Sequence, residues 1–222
     1  MLLANGALMK GIYFFCFLLS IVVMIPMAQA QKEDQDHYCG VIRGYHYGPF
    51  DYLERANLNH DLYIVEVAHF TRDVEKLTAQ PTYIGSNLNY TLQAWPNHHR
   101  ALASLAKFAI REKTVGRLPG MKYPVECYFD RAFRWRSNDS TVRSIYGSYL
   151  SKVGRSSSAI EQLEIAVRIQ PDNATAHYNL GLLYFDKGNH DKALFHAERA
   201  YEFDFPLPGL RNKLIRIGKW KK

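Results

Sequence analysis

The stretch ATAHYNLGLLYFDKGNHDKALFHAERAYEFDFP, Ala174 to Pro206, decides how this chain folds. It repeats what precedes it with a period of 34: Tyr146-Gly147 returns as Leu180-Gly181, Ala159 as Ala193, and Ala166 as Ala200. Leu163 corresponds to Ala197, and Pro171 closes the first unit as Pro206, one residue late, closes the second. A period of this length marks a repeat architecture, so it is read before any other motif.

Each unit reads as two helices. In the first, Ile145, Tyr149 and Leu150 lie at helical spacing within Ser140 to Lys152, and Gly154-Arg155 breaks the pattern. Ser157 or Ser158 can cap the second helix, where Ala159, Leu163, Ala166 and Val167 share a face, until Pro171-Asp172-Asn173 ends it. In the second unit the helices run from Ala174 to Lys187 and from His190 to Phe203, with a turn at Gly188-Asn189. Small residues at Gly147, Ala159, Gly181 and Ala193 let antiparallel helices approach closely, and Tyr146, Leu163 and Leu180 fill the space between.

The period, the glycine, the alanines and the closing proline closely resemble the tetratricopeptide-repeat (TPR) family. The resemblance is strong over Ala174 to Pro206 and good over Ser140 to Gln170. It implies an all-α chain, a short α-solenoid of antiparallel helix pairs. Upstream, Pro96-Asn97 resembles another boundary, followed by Leu102, Leu105-Ala106 and Ala109, then by Val125, Phe129 and Ala132. The two halves of that unit are out of register by seven residues, which places an insertion within residues 112–124, a segment punctuated by Gly116, Pro119, Gly120 and Pro124. The expected organisation is a leader at 1–30, an N-terminal helical and loop region at 31–96, and three repeats at 97–206, divided into 97–139, 140–173 and 174–206. A capping helix with a basic tail follows at 207–222. Repeat arrays need polar-faced caps. Leu210, Leu214 and Ile217 supply one apolar face, while helical patterns at Asn59 to Leu77 and around Leu88, Leu92 and Trp95 supply extra N-terminal helices. The Tyr- and Gly-rich stretch from Tyr38 to Tyr52 has no assignment.

Ile12 to Ile25 is an apolar run followed by Ala28-Gln29-Ala30, which reads as a signal peptide cleaved before Gln31, with Met9 an alternative start to Met1. The run is short for a membrane span, although an uncleaved anchor is the competing reading. A periplasmic or secreted protein, bacterial by the form of its leader, is therefore expected. The sequons at Asn89, Asn138 and Asn173 would then carry no sugar. The mature chain keeps Cys39 and Cys127, which in an oxidising compartment most simply form one disulfide. Lys and Arg balance Asp and Glu at 21 each over Gln31 to Leu210, and the basic excess lies in Arg211 to Lys222. A neutral body on an exported chain argues against nucleic acid. The tail suits, at most, weak contact with an anionic membrane surface.

No Gly-x-Ser-x-Gly, phosphate-binding glycine loop or His-Glu-x-x-His occurs. Glu66-Val-Ala-His69 fits a di-iron element but occurs once where two are needed, and His98-His99 point apart on a helix. Neither catalysis nor a cofactor is expected. The expected function is a protein-interaction scaffold in the cell envelope, serving a surface or secretion assembly. The alternative is an envelope metal-binding or hydrolytic protein that uses the N-terminal region.

By resemblance to TPR proteins, the binding surface is the concave face made by the first helix of each repeat. It would present Thr141, Ser144, Ile145 and Ser148, then Thr175, Tyr178, Asn179, Leu182 and Phe185. Asn179 matches a family position whose amide bonds the backbone of a bound peptide, since an amide both donates and accepts. Tyr178, Leu182 and Phe185 form a stripe suited to an apolar or helical segment. Thr141, Ile145 and Thr175 stand where carboxylate-binding members carry Lys or Arg, so recognition of a free C-terminal carboxylate is not expected.

Overall fold

The computed structural model describes residues 37–43 and 47–220. Residues 1–36, on which the expected leader falls, Gly44 to His46 and the final Lys221-Lys222 lie outside the described residues. The chain divides into two units, residues 1–42 and 43–222. The described part of the first is a short turn, in which the Gly40 N–H donates to the His37 carbonyl at 2.7 Å.

The larger unit is all-helical among its described residues. Its helices are α1 (Asn59–His69), α2 (Arg72–Glu75), α3 (Pro81–Ala94), α4 (His99–Arg111), α5 (Val125–Trp135), α6 (Ser140–Lys152), α7 (Ser156–Ile169), α8 (Ala174–Asp186), α9 (His190–Glu202) and α10 (Gly209–Arg216). Helices α6 and α7 pack along their lengths, as do α8 and α9, while α4 meets α6 more extensively than it meets α5.

Glycine sets the close approaches. A Cβ on Gly147 would stand 2.6 Å from Leu163 Cγ, and one on Gly181 would stand 2.3 Å from Leu210 Cδ2. Both leucines are fully buried, so neither can move aside easily. Ala159, Ala166, Ala193, Ala197 and Ala200 present the matching small surfaces and are likewise fully buried.

The first helices start alike. His98 Nδ1 accepts from the Ala101 N–H at 3.1 Å, Asp139 from Val142 at 3.1 Å, and Asn173 from Ala176 at 2.9 Å. Each satisfies an N–H that would otherwise lack a helical partner. The residue opening one first helix is also hydrogen-bonded to the cap of the next: His99 Nε2 to Asp139 at 2.9 Å, and Ser140 Oγ, accepting from Asn173, at 2.8 Å. This recurring clip holds α4, α6 and α8 in parallel register.

At the N-terminal side, the expected helix over Asn59 to Leu77 is broken into α1 and α2. Thr71 is extended (ψ 164°), Phe70 is buried, and Leu77 has φ 60°. Arg100 holds Glu75 through two bonds of 2.8 and 2.7 Å, and Arg111 donates to the Leu77 carbonyl at 2.6 Å, fastening α2 to α4. The unassigned aromatic stretch builds a small second core, where Tyr47, Phe50 and Tyr52 gather around the fully buried Trp95. Phe50 donates its N–H to the Ala94 carbonyl at 2.8 Å. At the other end, α10 buries Leu210 and Leu214, each stabilising by about 1.5–3 kcal/mol. Its cations face protein partners: Lys213 pairs with Asp186 at 2.8 Å, Lys219 with Asp191 at 2.9 Å, and Arg211 lies 4.1 Å from the Tyr201 ring centroid. No helix among the described residues is long and apolar enough to cross a membrane.

Candidate functional site

The parallel course of α4, α6 and α8 opens a groove of about 450 Å³ across their exposed faces. Thr141, Ser144, Ile145, Ser148, Thr175, Asn179 and Leu182 all line it. Ala103, Ala106, Lys107 and Ile110 contribute the α4 wall, and Tyr149, Ser151, Lys152 and Asn173 complete it.

Its polar groups are only partly committed. Asn179 Nδ2 donates to Ser148 Oγ at 2.8 Å, and Ser148 Oγ donates to the Ser144 carbonyl at 2.8 Å. That chain fixes the Asn179 amide and leaves its carbonyl oxygen as an acceptor. The Ser144 hydroxyl is buried without a partner, as is the Tyr149 phenol, and burial raises the latter's pKa to about 12. Unpartnered buried polar groups cost about 1–3 kcal/mol each, and both oxygens lie beneath the groove surface.

Tyr178 and Phe185 do not line this groove. Tyr178 is 8% exposed and stacks on Phe205 with ring centroids 4.2 Å apart. A Cβ on Gly209 would lie 2.8 Å from its hydroxyl oxygen. Phe185 is half-buried, with the Lys213 ammonium 5.0 Å from its ring centroid. Both are covered because α8 belongs to the last hairpin, where the capping segment takes the place of a further repeat. The equivalents of Tyr178 in α6 and α4 are Ser144 and Ala103, and both do line the groove.

The α4 residues were the ones sequence reasoning missed. Counting from the helix starts His99, Ser140 and Ala174, Lys107 is equivalent to Ser148 and Leu182, and Ile110 to Ser151. The signal was the cap position after Pro96-Asn97. The seven-residue offset further on obscured it.

The histidines are engaged elsewhere. Glu66 meets His98 Nε2 at 3.0 Å and Arg100 at 3.0 Å, whereas His69 meets Asn87 at 3.0 Å and stacks on Tyr90. The Glu66–His69 pair therefore does not converge on one point. His177 donates through Nε2 to the Pro171 carbonyl at 3.0 Å, so its Nδ1 is left to accept from His196 Nδ1, also at 3.0 Å. Both rings are neutral in this arrangement. Burial depresses their basicity, taking His196 down to about 4.

Stacked antiparallel hairpins whose first helices share one open face define the class of helical-repeat proteins. Residues 152–194 match the family model described as TPR repeat. No curated protein matches it. Among solved structures it is similar to MamA, at 20% identity and TM-score 0.45, over 75% of this chain and 87% of that one. It is also similar to YrrB, described as a TPR protein with an unusual peptide-binding site, at 19% identity and TM-score 0.45, over 98% of this chain and 100% of that one.

Proposed function

We propose that this chain is a non-enzymatic interaction module that holds a segment of a partner protein in the groove across α4, α6 and α8. The observation that carries the reading is the wall of that groove. Ile145 and Leu182 offer apolar contact beside the Asn179 amide. Apolar surface with a few placed polar groups is what a bound peptide requires.

We place the protein in the cell envelope, with its partner there. Two observations support this: the leader-like start of the sequence, and the disulfide-bonded state of both Cys39 and Cys127, which suits an oxidising compartment. The basic tail would add no more than a weak contact with an anionic membrane, because Leu210 and Leu214 face the last hairpin and Lys213 and Lys219 are paired.

Affinity capture from the envelope fraction tests the reading. Wild-type protein retains a partner that the Asn179→Ala, Leu182→Asp double variant loses while it still folds and unfolds cooperatively. Full retention by a folded double variant overturns the groove as the binding surface.

A further inference from the structure

The groove is electrically one-sided. Among the described residues, Lys107 and Lys152 are the only charged ones that line it, and both belong to the C-terminal halves of their helices. None of these described lining residues is a carboxylate. Both lysines are exposed, and neither forms an ion pair among the described residues. The carboxylate whose charge Lys107 feels, Glu75, is already doubly held by Arg100 at 2.8 and 2.7 Å. Several other cations of the unit are paired: Arg155 with Glu126, Lys213 with Asp186, Lys219 with Asp191. Two unspent ammonium groups therefore open onto a groove that also holds the hydroxyls of Ser148 and Ser151.

We infer that the bound segment is acidic, and that it directs a carboxylate to Lys107 and Lys152 while its apolar residues lie against Ile145 and Leu182. This rests on the groove being the binding surface. Two ammonium groups that open onto one groove attract an anion and select against basic segments. The competing role for the lysines is complementing the negative C-terminal ends of α4 and α6. That role affects helix stability and leaves peptide affinity untouched, so the two are separable.

The test pans the full chain, with its disulfide intact, against random dodecapeptides displayed on phage. Recovered peptides are synthesised with free and with amidated C-termini and titrated by fluorescence anisotropy. The proteins are wild type, the Lys107→Glu, Lys152→Glu double variant, and Leu182→Asp. Thr175→Trp serves as a second groove-blocking variant should Leu182→Asp fail to fold. Expected are peptides rich in Asp and Glu that are lost with either blocking variant and weakened at least about tenfold by the charge reversal, the more so at low salt. Equal binding of amidated peptides assigns the carboxylate to a side chain, and a requirement for the free end assigns it to the terminus. Peptides that the blocking variants lose, but that are neutral and indifferent to charge reversal, overturn the acidic segment and leave the groove standing. Peptides indifferent to both blocking variants overturn the groove itself.

Discussion

Neighbouring residues of α8 have opposite fates. Asn179 opens onto the groove and Tyr178 lies beneath Phe205, although both belong to the surface the repeat pattern marks out. Tyr178→Ala therefore removes a buried aromatic and destabilises the fold by about 3 kcal/mol. Asn179→Ala removes one half-buried hydrogen bond, costs about 1 kcal/mol, and acts on binding instead. Chemical denaturation of the two variants checks the contrast. The His177–His196 pair adds a pH dependence. Burial is the main cause of both lowered pKa values, with Arg199 acting on His177 and with His177, Glu164 and Lys192 acting on His196. The unfolded chain thus takes up protons first. The stability of this pair is complete above the ordinary imidazole value of about 6.5 and is lost as pH falls toward about 4. Melting should drop by roughly 4–8 °C between pH 7 and pH 5, the shift expected of about 2 kcal/mol in a chain of this size. His196→Gln, an uncharged donor, should lose less than half as much, and an equal loss would count against the pair as the source.

At the scale of helices, Gly181 and Gly147 carry the packing that their recurrence implied. Gly181→Ala forces a methyl group against Leu210 Cδ2 at 2.3 Å and should cost about 1–3 kcal/mol, loosening α10 first. Hydrogen exchange should report faster exchange at Leu214 and Ile215 before the rest of the hairpin responds. These helices were legible because the constraint is local: a fixed spacing of glycine, alanine and proline can be satisfied by one hairpin alone. The break at Phe70-Thr71 was not legible, because the apolar pattern runs on through it and only the docking of α2 on α4 turns Phe70 inward. The cluster of Tyr47, Phe50 and Tyr52 around Trp95 was hidden for the same reason, since its partners lie more than forty residues apart. The α6 and α8 sides of the candidate groove could be read from one register, and its α4 side could not, because residues 112–124 interrupt that register.

Within the larger unit, α4, α6 and α8 line the groove, and α10 covers the last hairpin with Leu210 and Leu214. Cys39 and Cys127 are each disulfide-bonded. A bridge between them would close a loop of nearly ninety residues (127 − 39 = 88) and contribute about 4–5 kcal/mol on the chain-entropy account. Peptide mapping without reductant should recover the two in one crosslinked fragment, and recovery as free thiols would refute the bridge. In the function proposed above, the partner lies on the face shared by α4, α6 and α8. A photo-crosslinking amino acid placed at Thr175, on the groove, and separately at Phe195, which is 55% exposed on α9 and outside it, addresses that claim in the source cells. A discrete adduct of one partner should form from position 175 and none from position 195. Adducts from position 195 alone, or equally from both, would contradict that placement.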